Sequence, residues 1–229
     1  MYFLKDEKRK ILFGWNAKCG CATIKKLYYY LQNGILDNEV HQEHEYRMID
    51  LQNTEDYTII LFVRNPYKRI VSGYLDKYNG ENIIGNSTWK CRLALTFENF
   101  VKELSYNHFK NIDFHHFVPQ ISLNWDEKIR HHKNLKIFDI EQIDYSFIET
   151  KFDKKIPDYF RSAIHKNTNK SCSNFDFPVY KATNDKIKGL KPDYHLFYND
   201  ELKNLVRQFY TVDFDFFTEK GLLYDITTA

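Results

Sequence analysis

The sequence predicts an α/β protein with a central parallel sheet flanked by helices on both sides. Three observations carry that prediction. Short, apolar, β-branched runs read as buried parallel strands, Tyr57–Val63 (YTIILFV) being the clearest. Stretches with helical spacing alternate with those runs along the chain, the pattern of strand–helix–strand units. Glycine and proline are scarce, at 8 and 5 of 229 residues, which argues against disorder.

Taken in order, residues 1–10 form a polar lead-in. Ile11-Leu12-Phe13 is the first strand. A turn of small residues follows (Ala17, Cys19, Gly20, Cys21, Ala22), with Lys18 inside it. Thr23–Leu31 is a helix with Ile24, Leu27, Tyr28 and Leu31 on one face, ending near Asn33-Gly34. Residues 35–56 are polar, a loop and a short helix over one face, and carry His41 and His44. The Tyr57–Val63 strand ends in Arg64-Asn65-Pro66, and Tyr67–Tyr78 is a helix with Pro66 at its start. Residues 79–96 are a loop. Phe97–Leu104 is a helix, capped by Thr96. Residues 105–126 hold His108, His115, His116, Pro119 and Gln120. Asn134–Asp139 is a third strand, and Asp144–Phe152 a short helix. Residues 153–192 read mostly as loop. Asp200–Tyr210 is an amphipathic helix with Leu202, Leu205, Val206 and Phe209 inward, and the tail Val212–Phe217 packs back on the domain.

Bulk properties narrow the function. The chain suits one domain spanning residues 1–229, and its 43% hydrophobic and 17% aromatic content can fill a core. A net charge of +2 gives no nucleic-acid signature. No apolar stretch is long enough to span a membrane, and the start (MYFLKDEKRK) lacks a signal-peptide core. Four cysteines (Cys19, Cys21, Cys91, Cys172) form no paired metal-binding framework. A reduced, cytoplasmic setting fits best. The oligomeric state is not legible.

The chemistry concentrates in two stretches. In ILFGWNAKCGCATIKKLYYYL (11–31), a strand feeds a helix through a tight turn, which aims backbone N–H groups at one point and attracts anions. Lys18 adds a positive charge. An ordinary strand–turn–helix with a stray lysine is the plain alternative. A Walker A loop is excluded, because Lys18 precedes Gly20 instead of following the last glycine. The second stretch is FVRNPYKRIVSGYLDKY (62–78), which places Arg64 at a strand end and Ser72 in the next helix. Both basic turns lie at carboxyl ends of strands, where ligands of such sheets bind at a switch in strand order. One ligand can therefore touch both. Arg69 and Lys77 read as solvated helix charges, with a contact to the ligand as the lesser alternative. The Tyr28–Tyr30 run reads as packing.

The order K-C-G-C-A-T resembles the 5′-phosphosulfate loop of sulfotransferases. Ala17 stands where the family usually has proline, and Ala22 where a hydroxyl residue is common; Thr23 offers a hydroxyl one position later. The 62–78 stretch resembles the family's 3′-phosphate element, including the Arg64-to-Ser72 interval. The match is nearest the carbohydrate-type enzymes. His116-Phe117-Val118-Pro119-Gln120 is similar to the H-x-x-P-Q segment of many bacterial members. Lys136–Ile143, His165–Asn169 and the closing Asp200–Phe217 also resemble family segments.

The resemblance implies a P-loop-NTPase-like fold and 3′-phosphoadenosine 5′-phosphosulfate (PAPS) as co-substrate, with adenosine 3′,5′-bisphosphate (PAP) as product and no metal required. It implies that Lys18 and the N–H groups of Cys19, Gly20, Cys21, Ala22 and Thr23 hold the 5′-phosphosulfate. Arg64 and Ser72 would hold the 3′-phosphate. A hydroxyl acceptor needs a base near neutral pH, for which His116 is first choice, with His44 and His41 as rivals. The acceptor implied is a glycan, with neither nucleic acid nor membrane as partner. Carbohydrate-type relatives act in the Golgi lumen, a setting that fits this chain only if it is a trimmed piece. Two other functions compete: a P-loop-like nucleotide kinase, and a non-catalytic nucleotide-binding relative, which Ala17 and Ala22 keep open.

Overall fold

The structure, a computed structural model, describes residues 1–34, 36, 53–77, 95–107, 114–121, 123–163, 172–187 and 189–226. In chain order these form β1 (Tyr2–Asp6), β2 (Ile11–Trp15), α1 (Cys21–Asn33), β3 (Thr58–Val63), α2 (Pro66–Lys77), α3 (Phe97–Asn107), α4 (Phe114–Phe117) and α5 (Leu123–Arg130). β4 (Leu135–Asp139), α6 (Tyr145–Phe152), α7 (Asp158–Ala163), α8 (Asn184–Ile187), α9 (Asp200–Phe209) and α10 (Thr211–Glu219) follow, with 3-10 turns at Val179–Lys181 and Tyr194–Phe197. The chain divides into two compact units: Met1–Arg64 with Gln120–Asn167, and Asn65–Pro119 with Thr168–Ala229.

The first unit contains the sheet, in the order β1-β2-β3-β4. β2, β3 and β4 are parallel, with Ile11 opposite Thr58 and Ile59 opposite Leu135. The fold is thus α/β around a mostly parallel sheet, with helices flanking it. Two expectations change. The lead-in is no lead-in: Tyr2–Asp6 forms an antiparallel hairpin with β2. Its turn is tied by Asp6, which accepts from the Arg9 N–H and from Arg9 Nη1, both at 2.9 Å. And strand order runs 2-3-4 without reversal among the described residues, so the carboxyl edge there has no switch point.

One face of the sheet (Ile11, Phe13, Ile60, Phe62) packs with Ile24, Leu27, Tyr28 and Leu31 of α1, Ile148 and Phe152 of α6, and Phe160 of α7. The α1 contribution is the face the 3–4 spacing predicts. α1 stops where Gly34 turns left-handed (φ 76°) and donates its N–H to the Tyr30 carbonyl. Lys154 Nζ takes the same carbonyl at 2.7 Å, satisfying the helix end. In β2, Gly14 has no room for a side chain: a Cβ would stand 2.4 Å from Leu61 Cδ2 and 2.8 Å from Phe3 Cε1.

The second unit has its own core, of Tyr67, Ile70, Val71 and Tyr74 from α2, Phe97, Phe100, Val101 and Leu104 from α3, Phe117, and residues of α9 and α10. Buried hydroxyls and amides in it find main-chain partners: Tyr198 OH donates to the Tyr67 carbonyl, Tyr74 OH to Leu95, and Asn184 Nδ2 to Tyr74. Burial pushes the Tyr74 and Tyr198 hydroxyls well above the usual tyrosine value. Thr96 caps α3 by accepting from the Asn99 N–H. Leu202 and Val206 of α9 are fully buried, as the amphipathic pattern predicts, while Leu205 and Phe209 pack at its margin. The tail is a helix, α10, and residues 153–192 hold α7 and α8 besides loop.

Candidate functional site

β2 delivers the chain to a turn at the carboxyl edge of the sheet. The Cys19 N–H donates to the Asn16 carbonyl at 3.2 Å, closing Asn16–Cys19 into four residues. Lys18 sits in left-handed backbone (φ 66°), and so does Gly20 (φ 68°, ψ 25°), the N-cap of α1. A lysine at positive φ is uncommon and costs on the order of 1–3 kcal/mol; Lys10 and Lys191 share the conformation, so the backbone alone does not mark the site. Gly20 needs its conformation more than its space, since a Cβ there would meet nothing nearer than 3.9 Å.

No side chain caps α1, and its first turn contains no acidic residue. The N–H groups of Cys21, Ala22 and Thr23 and the positive end of the helix dipole therefore meet no acidic residue of the helix's own first turn. Lys18, Cys21, Ala22 and Thr23 are half-buried, and Cys19 is fully buried. Behind them, Lys25 is 3% exposed with its Nζ 4.4 Å from the Trp15 ring centre, and Tyr2 stacks on the same indole. This cation–π contact ties the start of α1 to the end of β2.

β3 delivers Arg64 beside that turn. Arg64 Nη1 donates to the Lys18 carbonyl at 3.1 Å, so the two basic residues, 46 positions apart, meet in the first unit. What fixes them is Gln120, fully buried. Its Nε2 donates to the Arg64 carbonyl at 2.8 Å, and its Oε1 accepts from the Arg64 N–H at 2.9 Å and from Cys19 Sγ at 3.0 Å. The Gln120 carbonyl accepts from Asn16 Nδ2 at 3.0 Å. Gln120 thus joins the end of β3 to both sides of the lysine turn, through its side-chain amide to Arg64 and Cys19 and through its own carbonyl to Asn16. Beyond β4, the Ile140 N–H donates to the Val63 carbonyl, and Asp139 accepts from the Glu141 N–H.

The other site candidates are not among the described residues of the first unit. Ser72, in the second turn of α2, and His116, in α4, belong to the second unit, and both are half-buried. The rings of His115 and His116 pack edge to face with centres 4.6 Å apart. His41 and His44 lie outside the described residues. Arg69 is not a solvated charge: it is 1% exposed, and Nη1 donates to the Val118 carbonyl at 2.7 Å. Lys77 pairs with Asp76 at 3.1 Å. Sequence reasoning assigned no role to Asn16, Lys25 or the Gln120 side chain. The H-x-x-P-Q spacing was the one available signal, and it pointed to the histidine.

A mostly parallel sheet with a lysine-bearing turn opening its first long helix, and an arginine ending the adjacent strand, defines a P-loop-like α/β protein. The chain belongs to the sulfotransferase family, whose model matches residues 1–218. That membership makes it a transferase of sulfuryl groups. No curated protein and no solved structure matches the chain with significance. Among the described residues, no helix is long and apolar enough to cross a membrane.

Proposed function

We propose that the protein transfers a sulfuryl group from PAPS to an acceptor hydroxyl on a carbohydrate. The observation that carries this reading is the meeting of the Lys18 turn and Arg64 at the carboxyl edge of neighbouring parallel strands. A donor with phosphate at both its 5′ and 3′ positions needs two cationic holds a short way apart. The residues suit it. The uncapped, acid-free start of α1 fits one phosphate, and a guanidinium is a planar fork matched to the other.

In this reading the N–H groups of Cys19 to Thr23 and the Thr23 hydroxyl hold the 5′-phosphate, and Arg64 and Ser72 hold the 3′-phosphate. PAPS supplies the sulfuryl group and a phosphate leaving group. Transfer forms a bond from the acceptor oxygen to sulfur and breaks the bond from sulfur to the bridging oxygen. The leaving oxygen gains negative charge, which the Lys18 ammonium neutralises; the acceptor proton goes to an imidazole, His116 in this assignment. Because such transfers pass through loose transition states, most of the catalysis is placement and charge. A glycan acceptor follows from the likeness to carbohydrate-type enzymes.

Thermal stabilisation tests the donor. PAP should raise the unfolding midpoint and ATP-Mg²⁺ should not; the reverse result would replace this reading with a kinase. Lys18→Gly tests the chemistry. It removes the ammonium, costing about 10²–10³ in turnover by analogy with loss of one charge-stabilising donor. It also relieves a left-handed non-glycine residue, so the fold should be as stable as the parent or about 1 kcal/mol more so. An active Lys18→Gly protein would remove Lys18 from the mechanism.

A further inference from the structure

We infer that Arg69 is a positioning residue: its buried guanidinium holds the turn that presents His116, setting catalytic geometry without touching substrate. The inference rests on the assignment of His116 as the base. All the residues involved lie in the second unit. α4 is only four residues long, Phe114–Phe117, and one helical turn cannot hold itself in place. Its placement comes from outside, and three contacts supply it directly after His116. Tyr210 OH donates to the Phe117 carbonyl at 2.7 Å, and Arg69 Nη1 donates to the Val118 carbonyl at 2.7 Å. The Phe117 ring, fully buried, lies so close to Gly73 of α2 that a Cβ there would stand 2.5 Å from Cε1.

Tyr210 and Phe117 could be explained by packing alone. Arg69 is harder to explain that way. A guanidinium at 1% exposure is costly to bury, and a neutral side chain would fill the same space more cheaply. The charge gives a short, charge-assisted bond to the Val118 carbonyl, with the direction set by a planar fork. That bond fixes the chain two residues past the imidazole, where a neutral contact would let it slide. Arg69 is in α2, the helix that also carries Ser72, so one rigid element orients both the histidine turn and a residue proposed for the donor.

The test compares Arg69→Lys, Arg69→Met, Tyr210→Phe and His116→Ala with the parent for sulfuryl transfer from PAPS and for PAP binding. Arg69→Met should lower kcat by about tenfold to a hundredfold, the scale of a catalytic group displaced by an ångström. Its KM for PAPS should stay within about twofold, because the donor contacts are untouched. Arg69→Lys, which keeps a cationic donor, should restore most of the loss, and Tyr210→Phe should show a smaller loss in the same direction. Unchanged kcat in Arg69→Met, or a loss the lysine does not restore, overturns the inference. Should Arg69→Met fail to fold, the decision passes to Arg69→Gln, which keeps only a neutral, shorter donor: parental kcat there overturns it. His116→Ala separates the two claims. If that variant keeps parental kcat, the base assignment fails and the inference fails with it. If it is inactive while Arg69→Met is fully active, only the inference fails.

Discussion

Replacing Gln120 by alanine removes the amide that joins the lysine turn to the end of β3. The side chain donates to the Arg64 carbonyl and accepts from the Arg64 N–H and the Cys19 thiol. The thiol is a weak donor and adds little. The two main-chain groups are the larger loss, because alanine leaves an N–H and a C=O without those partners. Leaving such a group unsatisfied costs about 1–2 kcal/mol where burial is partial, or about 3 kcal/mol for the pair. For a chain of this length that corresponds to an unfolding midpoint lower by roughly 6–12 °C. PAP binding should weaken as well, because the Lys18 turn keeps its direct bond from Arg64 but loses the second tie through Gln120. Calorimetry and a PAP titration read both effects. Gln120→Glu sharpens the test: it keeps an acceptor for the Arg64 N–H but turns an anion toward the Arg64 carbonyl, so it should be no more stable than the alanine variant. A Gln120→Ala protein with an unchanged midpoint and unchanged PAP affinity would refute the reasoning.

Two further predictions concern the frame. Gly14→Ala pushes a methyl into Leu61 and Phe3, and should destabilise the protein by about 1–3 kcal/mol in urea unfolding. A neutral result would mean the strands can spread there. Glu149 of α6 accepts from the Ile156 N–H at 2.8 Å and pairs with Arg161 and Lys155; these contacts, the N–H bond foremost, hold its carboxyl below the ordinary 4.5. A carboxylate whose pKa is depressed by folding stabilises the fold above its unfolded value, and that contribution is lost as pH falls through the folded value. The parent should therefore exceed Glu149→Gln in urea midpoint at neutral pH, with the gap closing below about pH 4.5. A gap that persists in acid would show that the bonds, not the charge, matter.

The elements that were legible share one physical trait: their pattern is local. Thr58–Val63 is apolar throughout, α9 repeats every three to four residues, and Thr96 and Gly34 mark helix ends by their own chemistry. β1 was hidden because its three apolar-rich residues run straight into KDEKRK, and the hairpin shows only once Asp6 is seen tying Arg9. α10 was hidden because its aromatic residues are crowded and not periodic; Phe214, Phe216 and Phe217 are all buried. At the site, Lys18 and Arg64 were legible by spacing within their own motifs. Gln120 was not, since its partners lie 56 and 101 residues away and nothing local marks a staple. Arg69 was misread for a related reason. Periodicity assumes one buried face, but α2 is enclosed on several, with Tyr67, Arg69, Ile70, Val71, Gly73 and Tyr74 all inside.

The chain leaves the sheet-bearing unit after Arg64 and re-enters it at Gln120, and those two residues are bonded to each other through the main chain of one and the amide of the other. The excursion over residues 65–119 is thus latched at its neck. Closing a flexible loop costs only about 0.6 kcal/mol more for each doubling of its length, so the latch is almost indifferent to how much chain it encloses. Descendants of this sequence can lengthen the chain between α2 and α3 while the lysine turn and its arginine keep their place, whereas Arg69, Ser72, His116 and the core around them are not free to be rewritten.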